Sequence, residues 1–391
     1  MARMVLDTLQ DGEDFVHGLT FCGTGGGGGQ AERGIQILAE QMEAGQKIEV
    51  VDITDLPDDG WTVMTAGMGG RPPAEGPDPE ELARLGLKEL KYEWGEALMA
   101  VVQELAEYAG VEIAAIVPGE LGSTNTPIPL VTALRLGIPA VDGDYAGGRA
   151  IPEIRQALPE VLGKSICPMA YLDRWGNVCI VKEAVSGTMV DRIGRMLTVA
   201  GFGGIAFAGY LMQAGEARQF IEQGTLSRAL AIGRARREAL EQGRDPASAM
   251  AQAAEGWVLF RGEVEAAEWE DRGEGYMFGY GTNRIQGLGE FEGQSFSIWY
   301  KNENHVSWLN GEPFVTSPDC LAVVDLETGE ALTNSVITSG QRVAVVGWRG
   351  SAVHRTQKGL EAIGPRYFGF DIEYVPIEER VGKEGVLSSQ R

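Results

Sequence analysis

The chain reads as a mixed α/β domain followed by an all-β domain, and three observations predict it. Up to about Gly243, short apolar runs alternate with stretches of helical period, as layered α/β proteins do. Over residues 257–346 the grammar changes to short β-rich runs punctuated by Gly281, Gly287, Asn310-Gly311, Gly329 and Ser339-Gly340, the pattern of a compact β-barrel or sandwich. With 391 residues, the chain also exceeds what one ordinary core organises. The expected division is 1–255 for the α/β domain with a glycine-rich loop and a helical extension, 256–350 for a barrel-like β domain, and 351–391 for a C-terminal segment that packs back on the body.

The first element is a helix over 14–22, because Phe15, Leu19 and Cys22 recur at helical intervals and Gly18 would interrupt a central strand. A helix over 31–44 and a strand over 48–53 follow. Residues 61–79, rich in Gly and Pro, read as a long loop whose backbone serves a site or an interface. A helix over 95–108, a strand over 113–117, a helix over 130–136 and a strand over 138–141 make a βαβ rhythm, and parallel pairing follows from it. Helices dominate 185–254, with Gly243 as a stop and Asp245-Pro246 as a cap and first turn. Within this stretch 196–215 has no formal charge, but Gly201, Gly203, Gly204, Gly209 and Gly215 make it a buried, glycine-notched helical region rather than a membrane span. In the β region, Asn310-Gly311 between two β-rich runs is the strongest hairpin signal. The tail holds a helix over 357–363, a β-like run over 368–375, and ten final residues expected to fray.

Composition narrows the function classes. Lys and Arg number 33 against 56 Asp and Glu, a net charge of -23 whose field repels phosphate, so no nucleic-acid or anionic membrane partner is expected. Cys22, Cys167, Cys179 and Cys320 lack CxxC spacing and no signal peptide opens the chain, which points to a reducing cytoplasm and free thiols. His17, His305 and His354 include no i, i+4 pair, so a zincin motif is absent. A homo-oligomer is expected, with the apolar stretch 202–211 as its contact surface.

Gly23, Gly25 and Gly28 satisfy GxGxxG, and Asp52 stands about where a ribose-binding acid would, which on spacing alone suggests NAD. That fingerprint requires a strand before the first glycine, and none is readable there. Five consecutive glycines, Gly25 to Gly29, suggest instead a wide nest of backbone N–H groups suited to an oxyanion or carboxylate, with Gly25, Gly26, Gly27 and Gly28 as substrate-binding candidates. Dinucleotide binding and plain backbone packing stay open as alternatives.

Two loops follow predicted strands at the sheet edge where α/β proteins hold ligands. In 118–125, Thr124 or Asn125 can cap the next helix, whereas Glu120 has no such structural reason to be there. The loop 142–153 carries Asp142, Asp144, Arg149 and Glu153 among three glycines, the densest chemistry in the chain. Asp142 and Asp144, two residues apart, point the same way in extended backbone, and close carboxylates push one pKa upward. The plainer reading is a solvated turn with an Arg149–Glu153 ion pair. In the β region, Lys301-Asn302-Glu303-Asn304-His305 is positioned to face the first domain across a cleft, although a lone His is more often structural. Pro318-Asp319 reads as a turn and Cys320 as a core residue.

GTGGGG at 23–28, PGELGSTN at 118–125, DGDYAGGRAIPE at 142–153, KNEN at 301–304, Pro318-Asp319 and GPRYFGFD at 364–371 together resemble the S-methyl thiohydantoin desulfurase family, in order and over nearly the whole chain. The resemblance implies a three-layer α/β domain, a C-terminal β-barrel domain, and hydrolysis of a small cyclic isothiourea in which water displaces methanethiol and leaves a hydantoin. The chain departs from the usual pattern at Gly29-Gln30 and at Cys320-Leu321, which bears on substrate identity and not on fold. The site expected from these readings has Asp142 or Asp144 activating water, directly or through a divalent metal, and Glu120 protonating a ring nitrogen. Arg149, the glycine loop, Asn125, Glu153, Asn302, Glu303 and His305 would bind the substrate. Glu120, Asp142, Asp144 and His305 would be the metal candidates if loops of both domains converge. A hydantoinase-like ring-amide hydrolase or its partner subunit, and a non-catalytic small-ligand or nucleotide-binding module, are the alternatives. All of this requires Glu120 and Asp144 to face one glycine-lined pocket.

Overall fold

The computed structural model describes residues 4–69, 77–271 and 279–383. Its first part contains β1 (Met4–Leu6), β2 (Ile48–Val51), β3 (Trp61–Gly69), β4 (Ile113–Ile116), β5 (Ala140–Val141), β6 (Gly143–Asp144), β7 (Met169–Asp173), β8 (Val178–Val181), β9 (Gly204–Gln213) and β10 (Glu222–Gln223). Eight of these form one sheet in the order β1-β2-β5-β4-β3-β9-β7-β8, while β6 pairs with β10 separately. Only the centre, β2-β5-β4-β3, is parallel; the flanking pairs are antiparallel. Side chains alternate across the sheet, so Val63 joins a core with Val101, Leu105 and Leu130 on one face, and Met64 and Met68 join Tyr171, Val190 and Phe207 on the other.

The second part contains β11 (Trp257–Ala267), β12 (Glu270–Asp271), β13 (Gly279–Gly287), β14 (Ser295–Lys301), β15 (Glu303–Leu309), β16 (Glu312–Thr316), β17 (Cys320–Asp325), β18 (Ala331–Leu332) and β19 (Arg342–Trp348). They form one antiparallel sheet in the order β16-β15-β14-β13-β11-β19-β17-β18, with β12 beside β13. In β14, Phe296, Ile298 and Tyr300 are buried in strict alternation, the mark of a sheet with one covered face. The Asn310-Gly311 hairpin forms as expected, with φ of 52° and 86° at its two turn residues. The barrel does not close: among the described residues no ladder joins the two ends of this path, although the Asn304 amide of β15 reaches the Leu321 carbonyl of β17 at 3.0 Å.

The helix Leu9–Cys22 links the two sheets. Thr8 caps it by accepting from the Asp11 N–H at 3.1 Å. Its Phe21 stacks on Trp348 of β19 with ring centroids 4.6 Å apart, a pairing worth about 0.5–1.5 kcal/mol beyond the area it buries. Gly18 lets the helix cross Thr225–Glu241 closely, since a Cβ there would lie 1.7 Å from the Ala229 carbonyl oxygen. The C-terminal end of the helix, and the glycine run after it, therefore emerges at the seam between the sheets.

Four expectations are corrected. Residues 61–69 are a strand, not part of a loop, because Trp61 to Ala66 is β-prone and pairs on both sides with β4 and β9; residues 70–76 of that expected loop lie outside the described residues. Residues 196–215 are the end of the helix Gly187–Ala200 followed by β9, not a helical region. A strand buried on both faces is a continuous apolar run, which periodicity does not distinguish from a buried helix. The 202–211 stretch consequently lies largely inside the sheet, with Ile205, Ala206, Phe207, Ala208 and Tyr210 all buried, and is not the exposed apolar surface that the sequence suggested. Residues 368–375 form no strand; a 3-10 turn, Pro365–Phe368, leads into irregular chain. Asp319, read as a turn residue, is wholly buried and ties this segment to the body, accepting from Ile377 N at 2.8 Å, Tyr374 Oη at 3.0 Å and Arg355 Nη2 at 2.5 Å. Most of the final ten residues lie outside those described.

Candidate active site

The glycine loop is shaped by two constraints at once. Gly25, Gly27, Gly28 and Gly29 have φ between 78° and 105°, where a side chain strains the backbone. A Cβ on Gly26 would also lie 2.1 Å from Glu303 Oε1, and one on Gly28 would lie 2.0 Å from Thr124 Oγ1. The loop is therefore wedged between the 118–125 loop and the KNEN turn. Four of its carbonyls are engaged: Thr24 accepts from Asn304 N at 2.7 Å, Gly25 from Asn334 N at 2.9 Å, Gly28 from Thr124 Oγ1 at 2.9 Å and Gly29 from Ser123 Oγ at 2.5 Å. The N–H groups of Gly28 and Gly29, at the cavity wall, have no acceptor among the described residues. A helix rather than a strand precedes the loop, and Asp52 spends its carboxylate on Thr54 N at 2.8 Å and Thr54 Oγ1 at 2.7 Å. The dinucleotide geometry is not built here.

Glu120 stands at the C-terminal edge of β4. It accepts from Asn125 Nδ2 at 2.5 Å and from Ile151 N at 2.8 Å, and borders the cavity. Glu303, the first residue of β15, lies buried beneath Gly26; Asn302 Nδ2 donates to its Oε1 at 2.6 Å, and Oε2 has no partner among the described residues. Burial raises both carboxyls above the ordinary Glu value, and Glu120 raises Glu303 further by like-charge repulsion. Arg149 opposes this from behind. Its side chain is wholly buried and donates to three carbonyls, Ala150 at 3.0 Å, Pro318 at 3.2 Å and Asn304 at 3.5 Å, with no ion pair among the described residues. Its positive charge lowers both glutamates without overcoming burial. One fixed cation and two desolvated carboxyls favour a pair that holds one proton.

The two aspartates are elsewhere. Asp142 accepts from Leu226 N at 2.9 Å, Ser227 N at 3.1 Å and Ser227 Oγ, so it caps the helix Thr225–Glu241 from outside. Asp144 is fully buried in its own turn, accepting from Ala146 N at 2.7 Å and Gly148 N at 3.0 Å, and burial pushes its carboxyl up to about 7. Neither lines the cavity, so Glu120 and Asp144 do not share one glycine-lined pocket. The two aspartates of 142–153 are consumed by backbone N–H groups, those of a distant helix for Asp142 and those of its own turn for Asp144. Arg149 does not reach the cavity either, and the Arg149–Glu153 pair does not form. Glu153 instead accepts from Lys301 Nζ and from Tyr367 Oη at 2.5 Å, and these bonds hold its carboxyl below the ordinary value despite burial.

His305 is buried, with Nδ1 bonded to Ser317 Oγ at 2.8 Å and its ring stacked on Phe368 at 3.9 Å; burial, then the Arg149 charge, keep it neutral. It does not line the cavity, and neither does Gly27. Glu120, Asp142, Asp144 and His305 do not converge, and among the described residues no three His, Cys, Asp or Glu gather as a metal site.

The cavity has a volume of about 610 Å³ and two unlike linings. One end is polar, with Gly25, Gly26, Gly28, Gly29, Glu120, Asn125, Asn302 and Asn334; Glu153 also borders the cavity. Another part of the lining is apolar, with Met64, Ala66, Met68, Ile154, Phe207 and Tyr210. Sequence reasoning missed Asn334 and the apolar wall, since Asn334 carries no motif and β3 was read as a loop. It also missed Asp191 and Arg195, which border the cavity as an ion pair at 2.7 Å on the helix Gly187–Ala200.

Among the described residues no helix is long and apolar enough to cross a membrane. No curated protein matches the chain. A crystal structure of a protein from Chromobacterium violaceum, described only as a structural-genomics target, superposes with a TM-score of 0.73 at 22% identity, covering 96% of this chain and 100% of that one; it shows the fold alone. The models of the S-Me-THD-like N-terminal domain and of the S-Me-THD-like C-terminal domain match residues 10–183 and 185–377, dividing the chain before the helix Gly187–Ala200. With both domain models matched in order along the wedge of glycine, glutamate and amide segments, the chain belongs to the S-Me-THD-like family.

Proposed function

We propose that the chain hydrolyses the exocyclic C–S bond of a small cyclic isothiourea of the S-methyl thiohydantoin type. One observation carries this reading: Glu120, held by Asn125 and Ile151, borders the cavity, and a second buried carboxyl, Glu303, lies behind Gly26, burial raising both. Glu303 is raised by burial and by Glu120, so it is the protonated member and Glu120 the ionised one. Ionised Glu120 takes a proton from water as the water oxygen bonds to the carbon between the two ring nitrogens, and the ring C=N electrons move to nitrogen. Glu120 returns that proton to the ring nitrogen; it then takes the proton of the new hydroxyl as C=O forms and passes it to sulfur while the C–S bond breaks, so that the electron pair leaves with sulfur as a thiol and the ring remains as a hydantoin. The free N–H groups of Gly28 and Gly29, with the amides of Asn125, Asn302 and Asn334, supply donors and acceptors for the ring carbonyl and N–H edges. Family membership favours this substrate type over other cyclic amidines.

The test is product analysis with purified protein, S-methyl thiohydantoin and ¹⁸O-water. The expected result is methanethiol together with a hydantoin carrying one ¹⁸O. A ring-opened carboxylate would assign a ring-amide hydrolase instead, and unchanged substrate would end the enzymatic reading.

A further inference from the structure

The apolar wall begins at the acid itself. A Cβ added to Gly119, next to Glu120, would lie 3.4 Å from Met64 Cγ, and the Ile151 whose N–H holds Glu120 belongs to the same apolar cluster as Met64, Phe207 and Tyr210. From Met64 the wall continues along β3 through Ala66, which pairs with Phe207, to Met68, four residues or about 13 Å further on. A five-membered ring with a methylthio group occupies only a fraction of about 610 Å³. Resting on the reading above, the ring carbonyl and N–H edges face the polar end, and the reacting carbon faces Glu120. The apolar bond that leaves the reacting carbon is the one to sulfur, so the sulfur substituent lies on the Met64 side.

We infer that this wall is a subsite for the sulfur-borne group, and that the substrate class extends to S-alkyl thiohydantoins with chains longer than methyl. Apolar walls reward each buried CH₂, and the thioether of Met64, in one apolar cluster with Phe207 and Tyr210, is a soft, adaptable surface for a sulfur substituent.

The experiment measures calorimetric Kd for 2-alkyl-4-imidazolones, in which CH₂ replaces the sulfur so that nothing can leave; 2-ethyl stands for S-methyl and 2-butyl for S-propyl. The expected result is tightening of roughly threefold to fourfold per CH₂ from ethyl to butyl. Ala66→Phe, which fills the wall, should abolish that gain, and Met64→Ala, which loosens it, should reduce it. The 5-alkyl hydantoins, whose chains leave from the other side of the ring, should show no comparable gain. A flat or falling 2-alkyl series, or a larger gain in the 5-alkyl series, overturns the inference. A tightening series without methanethiol release from the S-methyl compound keeps the subsite and removes the desulfurisation reading; a flat series with normal release does the reverse.

Discussion

The loop 118–125 carries one carboxylate and the loop 142–153 carries three, yet the sparser loop supplies the acid that faces the cavity in partnership with a second acid. Both loops leave parallel strands at the same edge of the sheet. What separates them is where each carboxylate finds its donors. Asp142 meets the start of a helix and Asp144 its own turn, so both are saturated by main-chain N–H groups. Glu120 is held by one amide side chain and one N–H, which fix its orientation while leaving it at the cavity. A dense run of charged residues thus marks a place where the backbone needs acceptors as readily as it marks chemistry.

That contrast can be broken by substituting its members in turn. Glu120→Gln removes the base and should lower kcat by about 10²–10⁴, with the melting temperature nearly unchanged; retention of a tenth of wild-type turnover would remove Glu120 from the chemistry. Glu303→Gln leaves a neutral group in place but removes the possible like charge. The acid limb of the kcat/KM profile, set by the burial of Glu120 next to an already neutral Glu303, should stay in place, and the alkaline limb, which reports loss of the Glu303 proton, should disappear. A retained alkaline limb would mean that the two carboxyls do not communicate.

Asp144→Asn should cost about 1–3 kcal/mol in urea unfolding, because the amide keeps one acceptor oxygen where the carboxylate used two, while turnover per folded molecule stays at the wild-type level. The sign with pH is defined: a carboxyl raised from 3.8 to about 7 in the fold favours the native state below pH 4, and this contribution is lost as pH rises through 7. The variant should therefore lose less stability than wild type between pH 5 and 8. Asp142→Ala removes a helix cap and should cost about 1–2 kcal/mol, also without a kinetic effect. A kinetic defect in either variant, at normal folded fraction, would return the aspartates to the mechanism.

Much of the fold was legible because local patterns decided it. The helices Trp94–Ala109 and Pro127–Leu136 follow from the apolar period that predicted 95–108 and 130–136, and the change of grammar near 255 falls between Pro246–Ala253 and β11. β3 and β9 were hidden for different reasons: glycines and prolines after Gly69 coloured the first, and two-sided burial erased the period of the second. In the site, Glu120 and the glycine wedge were legible from loops that lacked a structural excuse. The fate of Asp142 was not, since its partners lie 84 and 85 residues away. Neither was the pairing of Glu303 with Glu120, which depends on the seam between sheets and on no local spacing.

The central claim, one proton held between two glutamates at neutral pH, is tested most directly by infrared difference spectroscopy of wild type against Glu303→Gln at pH 7. The account predicts a protonated-carboxyl stretching band that wild type shows in excess over Glu303→Gln, and that Asp144→Asn shows in excess over the double variant of both residues, since Asp144 contributes a band of its own near pH 7. Identical carboxyl bands in wild type and Glu303→Gln would contradict it.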